Sequence, residues 1–319
     1  MAQSPQFNFR DATRTQAKAS ILIEGLSGSG KSGLALLLGY YLSGKKWENI
    51  YALDTENKSL DLFQGVQAST GVPYGTFKKF DLTELHGYTP SNYINAREAA
   101  IHAGAEVFIN DSLTHMWTMK GGVLDLVSEV DKSNSGRVKY NAWGDPTVVA
   151  EKQKIYTTAR DSRVHVISTV RVKEKQEMVT EDGKTTLKSL GEQQIMMPDF
   201  KYEPDLVLHM TQAGNMNGTP PKARVIKSRY AIFQPNTEYE FNEQTINQLV
   251  VYLAEGADPK ELLEQQRLDL ITEISNILDN DASKRTMFPM LKEQQGVKDV
   301  PLKDLKLEVL KTLLGILYA

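Results

Sequence analysis

Cysteine is missing from all 319 residues, which excludes a disulfide framework, a thiol nucleophile and a zinc–thiolate site and makes a reducing compartment the expected one. Histidine is scarce, and His86, His102, His115, His165 and His209 show no metal-ligand spacing. Long apolar runs are also lacking. The longest, Leu34–Leu42, is far short of the roughly 20 residues that cross a bilayer, and the polar N-terminus with Asp11 does not read as a signal peptide. A cytoplasmic protein without membrane partners is expected. Excess charge is absent as well. A net charge of -3 argues against a uniformly basic coat for nucleic acid, although local basic loops remain compatible with it. No internal repeat or low-complexity run occurs.

What is present is a phosphate-loop pattern. Gly25, Leu26, Ser27, Gly28, Ser29, Gly30, Lys31 and Ser32 fit G-x-x-x-x-G-K-[ST] in full, between an apolar strand-like run and an apolar helix-like run. The glycines let successive N–H groups turn inward on an anion. Lys31 supplies a mobile charge for the outer phosphates, Ser32 a hydroxyl for Mg2+, and the helix that opens near Gly33 the positive end of its dipole. ATP and Mg2+ are the implied cofactors.

Around this loop the chain alternates as a parallel sheet with crossover helices does. Strands are expected over 20–24, 49–53, near 77–80, and over 107–111 and 164–170, with helices over 31–43, from about 57, and over 90–103 and 147–161. The fold class is α/β: a P-loop NTPase with a mostly parallel twisted sheet flanked by helices. A charged hairpin about residues 181–184 and an antiparallel pair over 205–228 extend it. Gly256 to Pro259 stop one helix and start another. That divides the chain into an arm (1–18), a core (19–256) and a small helical domain (257–319) broken near Pro289. Phe7 and Phe9 are the arm's large apolar groups, and such aromatics need a pocket on this core or a neighbour's.

Asp111 ends an apolar strand, where an acid can hold Mg2+ beside Ser32; a helix-capping role is the alternative. Asp54 and Glu56 share one side of a second strand end, and either could position water at the γ-phosphate. Arg171, Lys173 and Lys175 project to one side of an extended segment. The long polar loop 131–146 carries Arg137, Lys139, Tyr140 and Trp143, a mixture suited to backbone contact and base stacking, or to local packing of the loop. Lys227 and Arg229 lie two apart on one strand, within a segment rich in basic residues, and otherwise read as a solvated edge.

Tyr51–Glu56 resembles the strand-then-glutamate motif of RecA/Rad51-type recombinases, Phe108–Ser112 their metal-binding strand, and Val166–Arg171 the strand bearing their γ-phosphate sensor. Val225–Arg229 resembles the strand whose basic residues reach the neighbouring subunit's ATP. Within that group the chain is most similar to phage-encoded AAA/RecA-core ATPases linked to single-strand annealing recombination, through Asp111–Trp117, the strand 164–171 and Tyr202–Asp205. The resemblance implies that Glu56 is the catalytic glutamate, that Thr169 stands at the sensor position usually held by glutamine, that Phe63 stacks on adenine, and that Lys227 and Arg229 act in trans. Phe9–Ala12 also fits the short F-x-x-A linker of Rad51-like subunits.

Together these features predict an oligomeric, Mg2+-dependent ATPase, filament or ring, that binds single-stranded DNA in the host cytoplasm and assists recombination or annealing. The tail is a candidate docking unit for a single-strand-binding or annealing protein. A ring-forming helicase or packaging motor, and a nucleotide-gated scaffold with negligible turnover, remain open alternatives.

Overall fold

The computed structural model describes residues 11–134, 141–181, 184–215 and 217–318, and over 175–181 and 184–190 it describes the backbone alone. Phe7, Phe9, Arg137, Lys139 and Tyr140, and the side chain of Lys175, lie outside the described residues.

The chain opens with β1 (Ser20–Gly25), α1 (Lys31–Leu42), β2 (Ile50–Asp54), β3 (Lys78–Asp81), α2 (Pro90–His102) and β4 (Val107–Asp111). Three helices follow, α3 (Thr114–Thr118), α4 (Val123–Ser133) and α5 (Pro146–Thr158), then the long β5 (His165–Glu181) and β6 (Lys184–Gln194). β7 (Leu206–Gln212), β8 (Lys222–Ser228), β9 (Glu238–Glu240) and α6 (Glu243–Ala254) complete the sheet's side of the chain; α7 (Pro259–Asn280), α8 (Ala282–Gln294) and α9 (Leu307–Tyr318) come last.

β1 and β4 are buried at every position, as parallel strands covered on both faces must be. The strands run in the order β3-β2-β4-β5-β1-β7-β8-β9, with β6 paired to β5. β3 to β7 along that order are parallel, and β8 and β9 are antiparallel additions. Alternation in β1 sends Ile21 and Ile23 to one face, against Leu34, Leu38 and Leu249, and Leu22 to the other, with Tyr93, Ile155 and Phe200. The α/β class with antiparallel extension is the observed one.

Two expectations are overturned. No α-helix starts near Asn57; the β2–β3 crossover holds only a 3-10 turn, Ser59–Phe63. Asn57 and Lys58 take positive φ, 56° and 64°, which a right-handed helix cannot use. Nor is the tail broken at Pro289, which lies inside α8. The breaks fall between Gln294 and Leu307 and at Asp281, whose carboxylate accepts from the N–H groups of Ser283 and Lys284 at 2.9 and 3.1 Å. An interior proline costs a helix about 3 kcal/mol, and burial of the adjacent Phe288 and Leu291, each worth about 1.5–3 kcal/mol, offsets it.

The chain divides into two compact units. One runs from Ala17 to Leu253 and contains the sheet. The other holds the chain from Ala254 together with the described residues before Ala17; there Gln16 N–H donates to the Ala257 carbonyl at 3.0 Å, and α7, α8 and α9 bury Ile274, Phe288 and Leu313.

Candidate active site

Strand register brings the site together. Asp54 stands opposite Asp111, Asn110 opposite Ser168, and Gly25 opposite Arg171. The carboxyl ends of β2, β4, β5 and β1 therefore finish side by side, at the sheet edge where α/β folds bind ligands.

At the head of α1, Gly30 has φ of 89°, and a Cβ there would approach the Ala213 backbone to 3.0 Å. Conformation and space both require glycine. Gly30 caps α1 with no side chain satisfying the first-turn amides, so these face an anion freely. Lys31 is buried, and its Nζ donates to the Gly25 and Leu26 carbonyls at 3.1 and 2.8 Å. Burial lowers its pKa, and the charges of Glu56 and Asp111 oppose that. Ser29 Oγ is buried without a hydrogen-bond partner. Leu26 and Ser27 are exposed, and Ser32 and Gly33 are half-buried.

Asp111 is buried; Oδ1 accepts a short hydrogen bond from Thr169 Oγ1, and Oδ2 has no partner. Burial pushes its pKa up to about 6, against the hydroxyls of Thr169 and Ser32, which pull down. The helix-capping alternative does not hold, because α3 is capped at Leu113 with no side-chain bond. An orphaned carboxylate oxygen beside a serine hydroxyl fits Mg2+, whose other ligands come from phosphate and water. Among the described residues no cluster of three His, Asp or Glu could hold a metal by itself.

Asp54 and Glu56 are separated by their partners. Asp54 accepts from the N–H groups of Glu56 and Leu60 at 2.8 and 3.1 Å and so shapes the turn after β2. Glu56 is gripped by Arg171, with Nε to Oε1 at 2.8 Å and Nη2 to Oε2 at 2.6 Å. Burial raises the Glu56 pKa, but the Arg171 fork outweighs it and leaves the carboxyl below its usual range. Both residues line a cavity of about 520 Å³ with Tyr88, His115 and Met119. His115 is buried, with Nδ1 unpartnered, and burial lowers its pKa.

A second cavity, about 130 Å³, opens beside the first turn of α1 between Gly30, Gly33, Phe63, Tyr74 and Asn215. Phe63 and Tyr74 meet edge to face at 5.1 Å, and Tyr74 Oη donates to the Gly33 carbonyl at 3.2 Å. An aromatic wall next to the phosphate loop suits a nucleobase.

The basic candidates scatter. Lys173 is exposed on β5, whereas Arg171 faces Glu56. Trp143 is 41% exposed, 6.1 Å from the Trp117 ring, with Lys152 Nζ 5.7 Å from its centroid. Lys227 and Arg229 face the same way but turn onto their own chain. Lys227 Nζ donates to the Tyr202 and Pro204 carbonyls, and Arg229 pairs with Asp205 at 2.8 Å. Through β7, Lys227 is level with Leu22, about 10 Å back along the strands from Gly25. Neither residue bonds to the phosphate loop; their partners are Tyr202, Pro204 and Asp205. Sequence reading missed Tyr74, His115 and the Arg171–Glu56 pairing, and 115 residues separate that pair, beyond any local pattern.

No described helix is long and apolar enough to cross a membrane. A search of curated proteins finds no match. The model of a family described as an AAA domain matches residues 17–240, a span that holds the phosphate loop, Glu56, Asp111 and Thr169. The chain therefore belongs to the AAA domain family of P-loop, nucleotide-binding ATPases.

Proposed function

We propose that this ATPase is an oligomeric, Mg2+-dependent protein that binds single-stranded DNA and assists recombination or annealing. The observation that carries the hydrolytic half is the meeting of Lys31, Glu56, Asp111 and Thr169 at one sheet edge. The loop amides and Lys31 would hold the β- and γ-phosphates, and Ser32 and Asp111 would hold Mg2+, which when bound would supply neutralising charge at the phosphoryl oxygens. Thr169, bonded to Asp111, would sense the γ-phosphate, and Glu56 would orient the attacking water. The nucleic-acid half rests on the motif order shared with recombinases and on the hairpin β5–β6, which leaves the same edge with Arg171 and Lys173 at its root.

Glu56→Gln keeps the shape and removes the base. ATP affinity is expected to stay within about twofold while turnover falls by about 10²–10⁴. Unchanged turnover removes Glu56 from the mechanism. The Arg171 fork also favours a second reading, a nucleotide-gated scaffold with little turnover at rest. Turnover with and without single-stranded DNA separates the two, since a scaffold stays slow in both.

A further inference from the structure

Two loops close the cavity of about 130 Å³ beside α1, and each brings a side-chain amide to it: Gln67 from the β2–β3 crossover and Asn215 from the turn between β7 and β8. The loops meet at Gly214, where a Cβ would approach Pro221 Cδ to 2.9 Å and Ser69 Oγ to 3.2 Å. Any side chain there would push them apart. An amide has a donor end and an acceptor end, and here the backbone decides which end each one has left. Asn215 Oδ1 accepts from the N–H groups of Asn217 and Thr219 at 3.0 and 3.1 Å, which holds the oxygen on the turn and leaves Nδ2. Gln67 Nε2 donates to the Gly71 carbonyl at 3.0 Å, which leaves Oε1. Neither remaining end has a partner among the described residues. Turning Asn215 over would set N–H against N–H, and turning Gln67 over would set oxygen against oxygen, so the network assigns both amides. The cavity is offered one donor and one acceptor, and the two cannot trade places.

Resting on the reading of this cavity as the nucleobase site, we propose that Gln67 and Asn215 are its specificity-determining residues and select adenine: Gln67 Oε1 accepts from the 6-amino group, and Asn215 Nδ2 donates to the adjoining ring nitrogen, N1 or N7. Adenine shows a donor next to an acceptor on either edge, whereas guanine carries an acceptor, O6, in place of the amino group. Guanine would bring O6 against Gln67 Oε1 with no proton between them. Neither amide can turn over to relieve this without breaking its backbone bond. Sites that hydrogen-bond a substrate group reject the analogue lacking it more strongly than an apolar pocket rejects a change of size. Asn215→Asp isolates the donor. A carboxylate oxygen still accepts from the Asn217 and Thr219 N–H groups, so the turn is kept, while the free end becomes an acceptor that suits guanine N1–H and repels the adenine ring nitrogens.

The experiment measures equilibrium binding of ATP, GTP, purine riboside triphosphate and inorganic triphosphate, each with Mg2+, to the full chain as wild type, Asn215→Asp and Gln67→Leu. Wild type is expected to bind ATP at least about tenfold more tightly than GTP, and about tenfold more tightly than purine riboside triphosphate, which lacks only the 6-amino group. Asn215→Asp is expected to lose about tenfold or more for ATP and to bring the ATP-to-GTP preference to one or below, with inorganic triphosphate unchanged. Gln67→Leu is expected to bind ATP and purine riboside triphosphate equally. Equal affinity of wild type for ATP and GTP overturns the selection. An unchanged ATP-to-GTP preference in Asn215→Asp overturns the part given to Asn215, and a retained preference for ATP over purine riboside triphosphate in Gln67→Leu overturns the part given to Gln67. A variant that fails to fold loses inorganic triphosphate as well, and the wild-type comparison then decides: equal affinity for ATP and purine riboside triphosphate overturns the proposal. Inorganic triphosphate bound by wild type as tightly as ATP refutes the nucleobase reading of the cavity itself, a separate outcome.

Discussion

Phe63 shows how a single residue gains a role from its neighbours. It closes the 3-10 turn after β2, and its ring lies against both Gly33 and Tyr74. A Cβ at Gly33 would meet that ring at 3.3 Å, so the glycine admits the aromatic wall to the first turn of α1. Phe63→Ala is expected to weaken ATP binding by about five- to thirtyfold, the loss of one aromatic contact of about 1–2 kcal/mol, while inorganic triphosphate binding stays unchanged. Equal weakening of both ligands places the effect in the loop and not in the base. Residue letters made the phosphate loop legible because its chemistry is local, with three glycines, a lysine and a serine inside eight positions. Tyr74 and Arg171 were illegible in their roles because each acts on a residue far away in sequence, Gly33 and Glu56. The same limit left Asp54 and Glu56 equivalent until their hydrogen-bond partners divided them into a turn-former and a paired acid.

Among elements, the strands were the most readable, since both faces of β1 and β4 are covered and the apolar run is continuous. The β2–β3 crossover was not, because its composition allows a helix and only the positive φ of Asn57 and Lys58 forbids one. β5 was read as ending at the core but continues into the hairpin. The root of that hairpin is tied by Gln194 to Glu24, and by His209 between Glu24 and Glu192 at 3.0 and 3.3 Å. β5 begins at another histidine with a structural use. His165 Nδ1 accepts from Ala19 N–H at 2.8 Å, and burial, with a lesser push from Lys18, lowers its pKa to about 3. A histidine depressed in the folded state contributes stability above its unfolded pKa of about 6.5, and that stability is lost as pH falls toward the folded value. His165→Asn offers the same amide an oxygen that does not titrate. Between about pH 7 and about pH 5, wild type is expected to lose about 2 kcal/mol more than this variant in urea unfolding. Equal losses mean that His165 does not charge on unfolding.

For the whole molecule, fold class and the position of the site followed from strand–helix alternation around one loop, but the sheet order and the use of Lys227 and Arg229 did not. Their shared direction was predictable from a two-residue spacing, whereas their grip on the Tyr202–Asp205 turn depends on a strand that begins at Leu206. They lie back from the phosphate loop of the same chain, and a subunit-mixing experiment separates the proposed contact with a neighbour's ATP from the internal role. Lys227→Ala subunits keep Glu56, and Glu56→Gln subunits keep Lys227. In an equal mixture about a quarter of cyclic or filament interfaces join an intact Glu56 to an intact Lys227. If the lysine acts across the interface, the mixture is expected to recover up to about a quarter of wild-type turnover although each variant alone is inactive. If Lys227 serves only to hold the Tyr202 and Pro204 carbonyls, every Lys227→Ala subunit carries its own defect. The mixture then recovers nothing at any ratio, and the alanine variant melts at a lower temperature, as the loss of a half-buried charged hydrogen bond worth about 1.5–3 kcal/mol requires.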